Sequence, residues 1–191
     1  MNIVTTPDPR LRIKCKKVNH VDDEIHEIID NMIQNCLDWE KVHEFEISAA
    51  LAAPQLGYDR RIIVVREDTE NKDNATFIPL LNPEVIKTEG KFVRDYEGCL
   101  SVPNYYGMVP RPTKARIKAQ TIDGQEVRIK ADGFLARTLL HEIDHLNGIL
   151  FIDHIKDDKN AWYRLDDKGD LVPVDYDKDV AGNKDLFPDE D

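Results

Sequence analysis

A chain of 191 residues fits a single domain with one core. Its residues are 41% hydrophobic and 33% charged, the balance of a soluble globular protein and not of a disordered one. The formal net charge of -11 argues against direct binding to DNA or RNA, because an acidic surface repels phosphate.

Other exclusions follow. Met1–Arg10 carries no apolar run of signal-peptide length, and no window approaches the roughly 18 apolar residues of a membrane span. The three cysteines, Cys15, Cys36 and Cys99, are too few and too scattered for a disulfide framework. A cytoplasmic protein without membrane association is expected. The one basic stretch, Arg10, Arg12, Lys14, Lys16 and Lys17, reads as a solvated strand face or loop.

The first predicted element is a surface helix over residues 22–43, with Ile25, Ile28, Ile29, Met32, Ile33 and Cys36 at helical spacing and Asp22 and Asp23 near its start. Its His26 and His43 read as surface histidines. Ile47 to Gly57 is short, apolar and without alternation, which predicts a buried extended segment ending at Pro54 and Gly57. Arg61–Arg66 contains Ile-Ile-Val-Val, a strand, and Glu67–Asn74 a polar turn. Phe77–Leu81 and Pro83–Lys87 predict two short strands punctuated by prolines. Ala115–Thr121 alternates, Asp123-Gly124 signals a hairpin, and Glu126–Lys130 is its partner strand.

The period then changes. Asp132 can cap a helix from about Gly133 to Asn147, and Gly148 can close it. Phe134, Leu135, Leu139, Leu140, Ile143 and Leu146 cover more than one of its faces, so the helix is expected at the centre of the core. Residues 157–191 are rich in aspartate with scattered Pro and Gly. They read as an acidic extension, loosely packed or partly disordered and anchored by Trp162 and Tyr163, beyond a catalytic domain of residues 1–156. The fold class is α+β: antiparallel or mixed sheets around a central buried helix, with an N-terminal surface helix.

That central helix carries His141-Glu142-Ile143-Asp144-His145. On a helix, His141 and His145 project from one face, so HExxH offers two imidazole ligands and a carboxylate able to act as base. A catalytic site needs a third protein ligand and an open position for water. A continuation of the form HExxHxxGxxH finds Gly148 in place but Phe151 at the ligand position, and His154 lies three residues further on. A downstream Asp or Glu is an alternative that the aspartate-rich tail does not single out. Cys99 is the remaining strong donor, and a thiolate with two imidazoles suits Zn(II) or Fe(II).

Three segments together resemble the peptide deformylases. Ser48-Ala49-Ala50-Leu51-Ala52-Ala53-Pro54-Gln55 is similar to that family's GxGxAAxQ, while Glu97-Gly98-Cys99-Leu100-Ser101 and His141-Glu142-Ile143-Asp144-His145 match its EGCLS and HExDH without change. The opening Thr6 to Leu11 and the continuation Leu146 to Phe151 also look like the family, so the resemblance covers about residues 1–156. It implies one divalent metal on Cys99, His141 and His145, in the family typically Fe(II), with Zn, Ni or Co as replacements. Glu142 would take a proton from the attacking water and return it to the leaving amine. The Gln55 side-chain amide and the Leu100 N–H would stabilise the oxyanion. The substrate implied is the N-formylmethionyl end of a new polypeptide, with formate released. Ala49, Ala50, Gly98, Phe134 and Thr138 would line the substrate pocket.

The resemblance has gaps. Ser48 and Ala50 stand where the family has glycine, which would cost about 1 kcal/mol or more at either site if positive φ were required. Leu140 replaces a common glutamine, and Tyr106 stands near where some members place an arginine. The acidic tail differs from the basic C-terminal helix by which some members dock on ribosomes, so any transient ribosome contact is expected to use another surface. Asp144 and Arg111 could pair to hold the ligand helix. Another HExxH metallopeptidase, or a silent deformylase-like protein that binds peptides, are the alternative readings.

Overall fold

The computed structural model describes residues 3–43 and 47–188. α1 spans Asp23–Val42, and the Asp22 carboxylate accepts a hydrogen bond from the Ile25 N–H at 3.1 Å, which satisfies a donor that the first turn leaves orphaned. Its stripe of Ile25, Ile28, Ile29, Met32 and Cys36 is buried in one cluster with Leu51, Ile62 and Val64. The strands are β1 (Ala50–Ala52), β2 (Ile62–Arg66), β3 (Phe77–Gly98), β4 (Tyr106–Gln120), β5 (Glu126–Asp132), β6 (Trp162–Leu165) and β7 (Leu171–Pro173). They form one seven-stranded sheet in the order β1-β2-β3-β4-β6-β7, with β5 also paired to β4. Each pairing is antiparallel.

The two short strands expected over residues 77–87 are parts of a single 22-residue strand. β3 pairs with β2 up to Leu81 and with β4 from Leu81 onward. Neither of its prolines ends it: Pro79 lies where β3 has β2 on one side only, before its pairing with β4 begins at Leu81, and Pro83 falls in the register shift between Leu81 and Glu84, so a missing N–H costs no ladder bond at either. Asn82, at φ 51°, holds this bend by bonding the Val18 N–H and C=O, each at 2.8 Å. β4 likewise runs through Pro110 and Pro112, in a stretch that has β3 on one side but neither β5 nor β6 on the other.

α2 spans Gly133–His145 and lies against the sheet. Leu139, Leu140, Ile143 and Leu146 pack with Ile63, Val65, Leu80, Ile117 and Ala131, which accounts for the helix being apolar on more than one face. Its first turn departs from the expectation: Phe134 and Leu135 are 59% and 41% exposed. Asp132 occupies the N-cap position without a side-chain cap bond and pairs instead with Lys114 at 3.2 Å. Gly148 ends the segment at φ 75°, and a Cβ there would sit 2.5 Å from the Arg12 carbonyl oxygen, so backbone conformation and close approach both demand glycine.

The C-terminal extension differs from a loose tail. Trp162, Val174, Val180 and Leu186 are buried together with Val4, Leu11, Phe151 and Ile155, and the Trp162 indole N–H donates to the Ile155 carbonyl at 3.2 Å. Trp162 lies on β6, Val174 directly follows β7, Val180 is the C-cap of the short α3 (Tyr176–Asp179), and Leu186 lies in the turn beyond it. Most of the basic stretch is neutralised: Arg10, Arg12, Lys16 and Lys17 pair with Asp8, Asp153, Asp59 and Glu84. Among the described residues, no helix is long and apolar enough to cross a membrane.

Candidate active site

α2 places His141 and His145 one turn apart with ring centroids 5.0 Å from each other. The turn after β3 brings Cys99 to the same point, its Sγ 3.2 Å from His145 Nε2. One ligand atom from each of Cys99, His141 and His145 lies within 4.8 Å of the other two. A thiolate and two imidazoles at this spacing fit a four-coordinate divalent ion with one position open. Glu142 supplies an independent indication: its Oε2 is buried without a hydrogen-bond partner among the described residues. A carboxyl group so placed is satisfied by a water or substrate proton at the open position.

Burial pushes the Glu142 carboxyl up to about 7, with Glu97 nearby also raising it and His141 and Arg111 opposing. A group near neutrality can both accept and return a proton. Glu97 behaves oppositely. Burial alone would raise its carboxyl, but hydrogen bonds from His141 and Arg111 outweigh burial and hold it below the usual carboxylate range.

Glu97 is the residue that sequence reasoning missed. Its Oε2 meets His141 Nδ1 at 2.9 Å, and its carboxylate accepts from Arg111 Nε at 2.9 Å and from Arg137 Nη1 at 2.7 Å. Arg137 also donates to the carbonyls of Val109 and Val93, at 2.8 Å each. The ring of His141 is thereby fixed through a buried carboxylate to two strands, leaving Nε2 for a metal. The Arg111–Asp144 pair that the sequence suggested forms at 2.6 Å, and Asp144 also meets His154 Nε2 at 2.7 Å. The available signal was the position of Glu97 inside the EGCLS segment.

Gln55 follows β1 on a short 3-10 turn. Its Oε1 accepts the Ala52 N–H at 2.9 Å, which fixes the amide so that Nε2 faces Cys99 Sγ at 3.4 Å and Ser101 Oγ at 3.2 Å. The neighbouring backbone is occupied: the Ser101 carbonyl accepts from Thr6 and the Cys99 carbonyl from Val102, both at 2.9 Å. The Leu100 N–H makes no such bond among the described residues.

A cleft of about 910 Å³ opens over this group. Gln55, Cys99, Leu100, His141 and Glu142 line it, as do Ala49, Ala50, Gly98, Phe134 and Thr138. His145 lies behind, 1% exposed. Gly98 has a packing role as well, since a Cβ there would come 2.6 Å from the Tyr106 ring. Ser48 and Ala50 both lie outside the positive-φ region, so their side chains bring no backbone strain. The Ser48 N–H donates to Glu40 Oε1 at 2.8 Å and its carbonyl accepts from Arg66 Nε at 3.3 Å. Glu40 and Arg66 are themselves a buried ion pair with contacts of 2.5 and 2.7 Å.

The family model described as polypeptide deformylase matches residues 1–161. The chain belongs to the polypeptide deformylase family. The peptide deformylase of Thermomicrobium roseum is 43% identical over 169 residues, covering 87% of this chain and 92% of that protein. Among solved structures, a peptide deformylase from Synechococcus elongatus in complex with actinonin is 35% identical with a TM-score of 0.71, over 81% of this chain and 78% of that one. A Met-Ala-Ser-bound class I type b peptide deformylase from Acinetobacter baumannii is 29% identical with a TM-score of 0.70, covering 80% of this chain and 96% of that one. The family-model match ends at residue 161, immediately before β6 begins.

Proposed function

We propose that this chain removes the N-formyl group from the terminal formylmethionine of newly made polypeptides, releasing formate and a free amino terminus. Family membership supports the activity, and the convergence of Cys99, His141 and His145 on one point, with Gln55 and Glu142 on the cleft beside them, carries the residue assignment. The Acinetobacter baumannii relative with bound Met-Ala-Ser supports a peptide as occupant.

Cys99, His141 and His145 would hold one divalent ion, read here as Fe(II), with Zn, Ni or Co as substitutes compatible with the same sulfur and nitrogen donors. When bound, such an ion makes hydroxide available near neutral pH, which the poor electrophilicity of a formamide requires. Glu142 takes the proton from the attacking water on its buried carboxylate and returns it to the departing amine. Gln55 Nε2 and the Leu100 N–H donate to the negative charge that develops on the formyl oxygen; because the Ala52 N–H holds Gln55 Oε1, the amide keeps its orientation while Nε2 exchanges its contact with Cys99 Sγ or Ser101 Oγ for the formyl oxygen. Ala49, Ala50, Gly98, Phe134 and Thr138 shape the methionine pocket, with the Ala50 methyl narrowing it relative to glycine. The substrate backbone adds along an exposed strand edge, which tolerates varied sequences. The free thiols of Cys15, Cys36 and Cys99 suit a reducing cytoplasm, and any ribosome contact would not use a basic C-terminal helix.

Anaerobic purification, elemental analysis and a formate assay with formyl-Met-Ala test this reading. The expected result is one metal per chain and stoichiometric formate, with both lost in Cys99→Ala. Full metal loading without formate would favour a silent peptide binder. Metal retention in Cys99→Ala would point to a metallopeptidase with another third ligand.

A further inference from the structure

The cleft is walled at one end by residues outside the stretch that the family model matches. Arg164, Leu165, Asp166, Asp167 and Val172 of the β6–β7 hairpin line the same cleft as Cys99 and Glu142. The hairpin is held firmly there: Trp162 is 1% exposed, and the Tyr163 ring meets the cleft residue Tyr96 edge-on, centroids 5.0 Å apart.

The hydrogen-bond parity of β6 shows which backbone groups are in use. The Trp162 carbonyl accepts from Val174 at 3.1 Å and the Asp166 N–H donates to Asp170 at 2.9 Å, so the even-numbered residues bond toward β7. The Ala161 carbonyl accepts from Met108 at 2.8 Å and Tyr163 is paired with Tyr106, so the odd-numbered residues bond toward β4. Leu165 is next on the β4 side. β4 begins at Tyr106, however, and the chain before it turns at Asn104, φ 69°. The N–H and C=O of Leu165 therefore face an open edge on the cleft: β4 pairs with β6 only at Trp162 and Tyr163, the pairing of Leu165 with Leu171 falls on the parity that does not bond toward β7, and no described loop residue bonds the Leu165 backbone.

We infer that the β6–β7 hairpin is a distal subsite of the peptide cleft, in which the Leu165 backbone pairs with extended substrate residues downstream of formylmethionine. This rests on the deformylase reading and adds a preference for peptide length. An open strand edge recognises an extended peptide by its main chain. The rim carries Arg164 together with Asp166 and Asp167, solvent-facing charges of both signs whose effect on a substrate side chain is screened and small. Asp166 is engaged in the turn, accepting the Lys168 N–H at 2.8 Å and the Asp170 N–H at 2.9 Å.

The test compares formyl-Met-Ala with formyl-Met-Ala-Ala-Ala in the metal-loaded full chain. The wild type is expected to show a KM for the tetrapeptide about five-fold lower than for the dipeptide, the scale of one or two added hydrogen bonds. Leu165→Pro removes the N–H that faces the open edge without removing an internal bond, and should bring the two KM values together. Leu165→Ala retains the N–H and should keep the length dependence. Exchanging the last alanine of the tetrapeptide for Lys or Glu should change KM by less than about two-fold. Equal KM values in the wild type, or a length preference that survives Leu165→Pro, would overturn the inference while leaving dipeptide deformylation intact. Absence of formate from both peptides would instead overturn the deformylase reading, and the subsite with it.

Discussion

Two buried ion systems flank the cleft, and they do different things with similar chemistry. In one, Glu97 with a 4% exposed side chain binds Arg111, Arg137 and the ring of His141. In the other, Arg66 and Glu40, with side chains 0% and 6% exposed, close on the backbone of Ser48. Desolvation offsets much of the attraction in any buried pair, so neither is best understood as a source of stability. Each ends on a group that borders the cleft: an imidazole in the first, a length of edge strand in the second. The first system orients a metal donor; the second fixes the entry to β1, where Ser48 replaces a motif glycine.

The comparison can be broken by experiment. Cys36 packs beside the Ser48 clamp, and burial pushes its thiol up to about 12 against the opposing hydrogen bond of Ser48. It should resist iodoacetamide at pH 8 for as long as the chain is folded and react fully in urea, which mass spectrometry of the Cys36 peptide would show. Rapid labelling of folded protein would mean that this region opens locally. Arg66→Met leaves Glu40 buried without its cation and should cost about 3–5 kcal/mol, read from the urea midpoint, while the folded fraction keeps its metal. Loss of metal from folded Arg66→Met would merge the two systems into one. Glu97→Gln should differ in touching the metal as well: it should weaken metal affinity of the folded fraction about 10- to 100-fold in chelator competition, in addition to a stability cost of about 3–5 kcal/mol from leaving Arg137 buried without its carboxylate. The surface provides the baseline: the Arg94–Asp158 pair at 2.7 Å is 53% and 31% exposed, so Arg94→Ala should move stability by no more than about 1 kcal/mol.

Much of the site was legible because its chemistry is local in sequence. His141, Glu142 and His145 share one helical turn, and Cys99 sits in an unbroken motif. The arrangement around Glu97 was not legible, since its arginine partners lie 14 and 40 residues away and neither spacing has a local signature. The fold shows the same division. α1, β2, α2 and the Asp123-Gly124 turn follow from periodicity and turn chemistry. The outer part of β3 does not, because residues 86–96 are mostly exposed and carry five charges without a buried face, and strand pairing there is satisfied by β4 across register shifts. The C-terminal segment was obscured by composition: Val174, Val180 and Leu186 are buried, but they are widely spaced in an aspartate-rich stretch, and the apolar neighbours of Val174 and Leu186 (Val172 and Phe187) are only partly buried, which leaves no period to read.

The change of partner along β3 also bears on cooperativity. This one strand serves β2 with its first residues and β4 with the rest, so the half of the sheet next to Gln55 and the half next to the Cys99 turn share a continuous backbone. Neither half can separate as an independent folding unit without tearing the other's edge. Donors drawn from three distant stretches of sequence are therefore assembled or dispersed in a single transition, and a folded intermediate holding only part of the site is not expected at equilibrium.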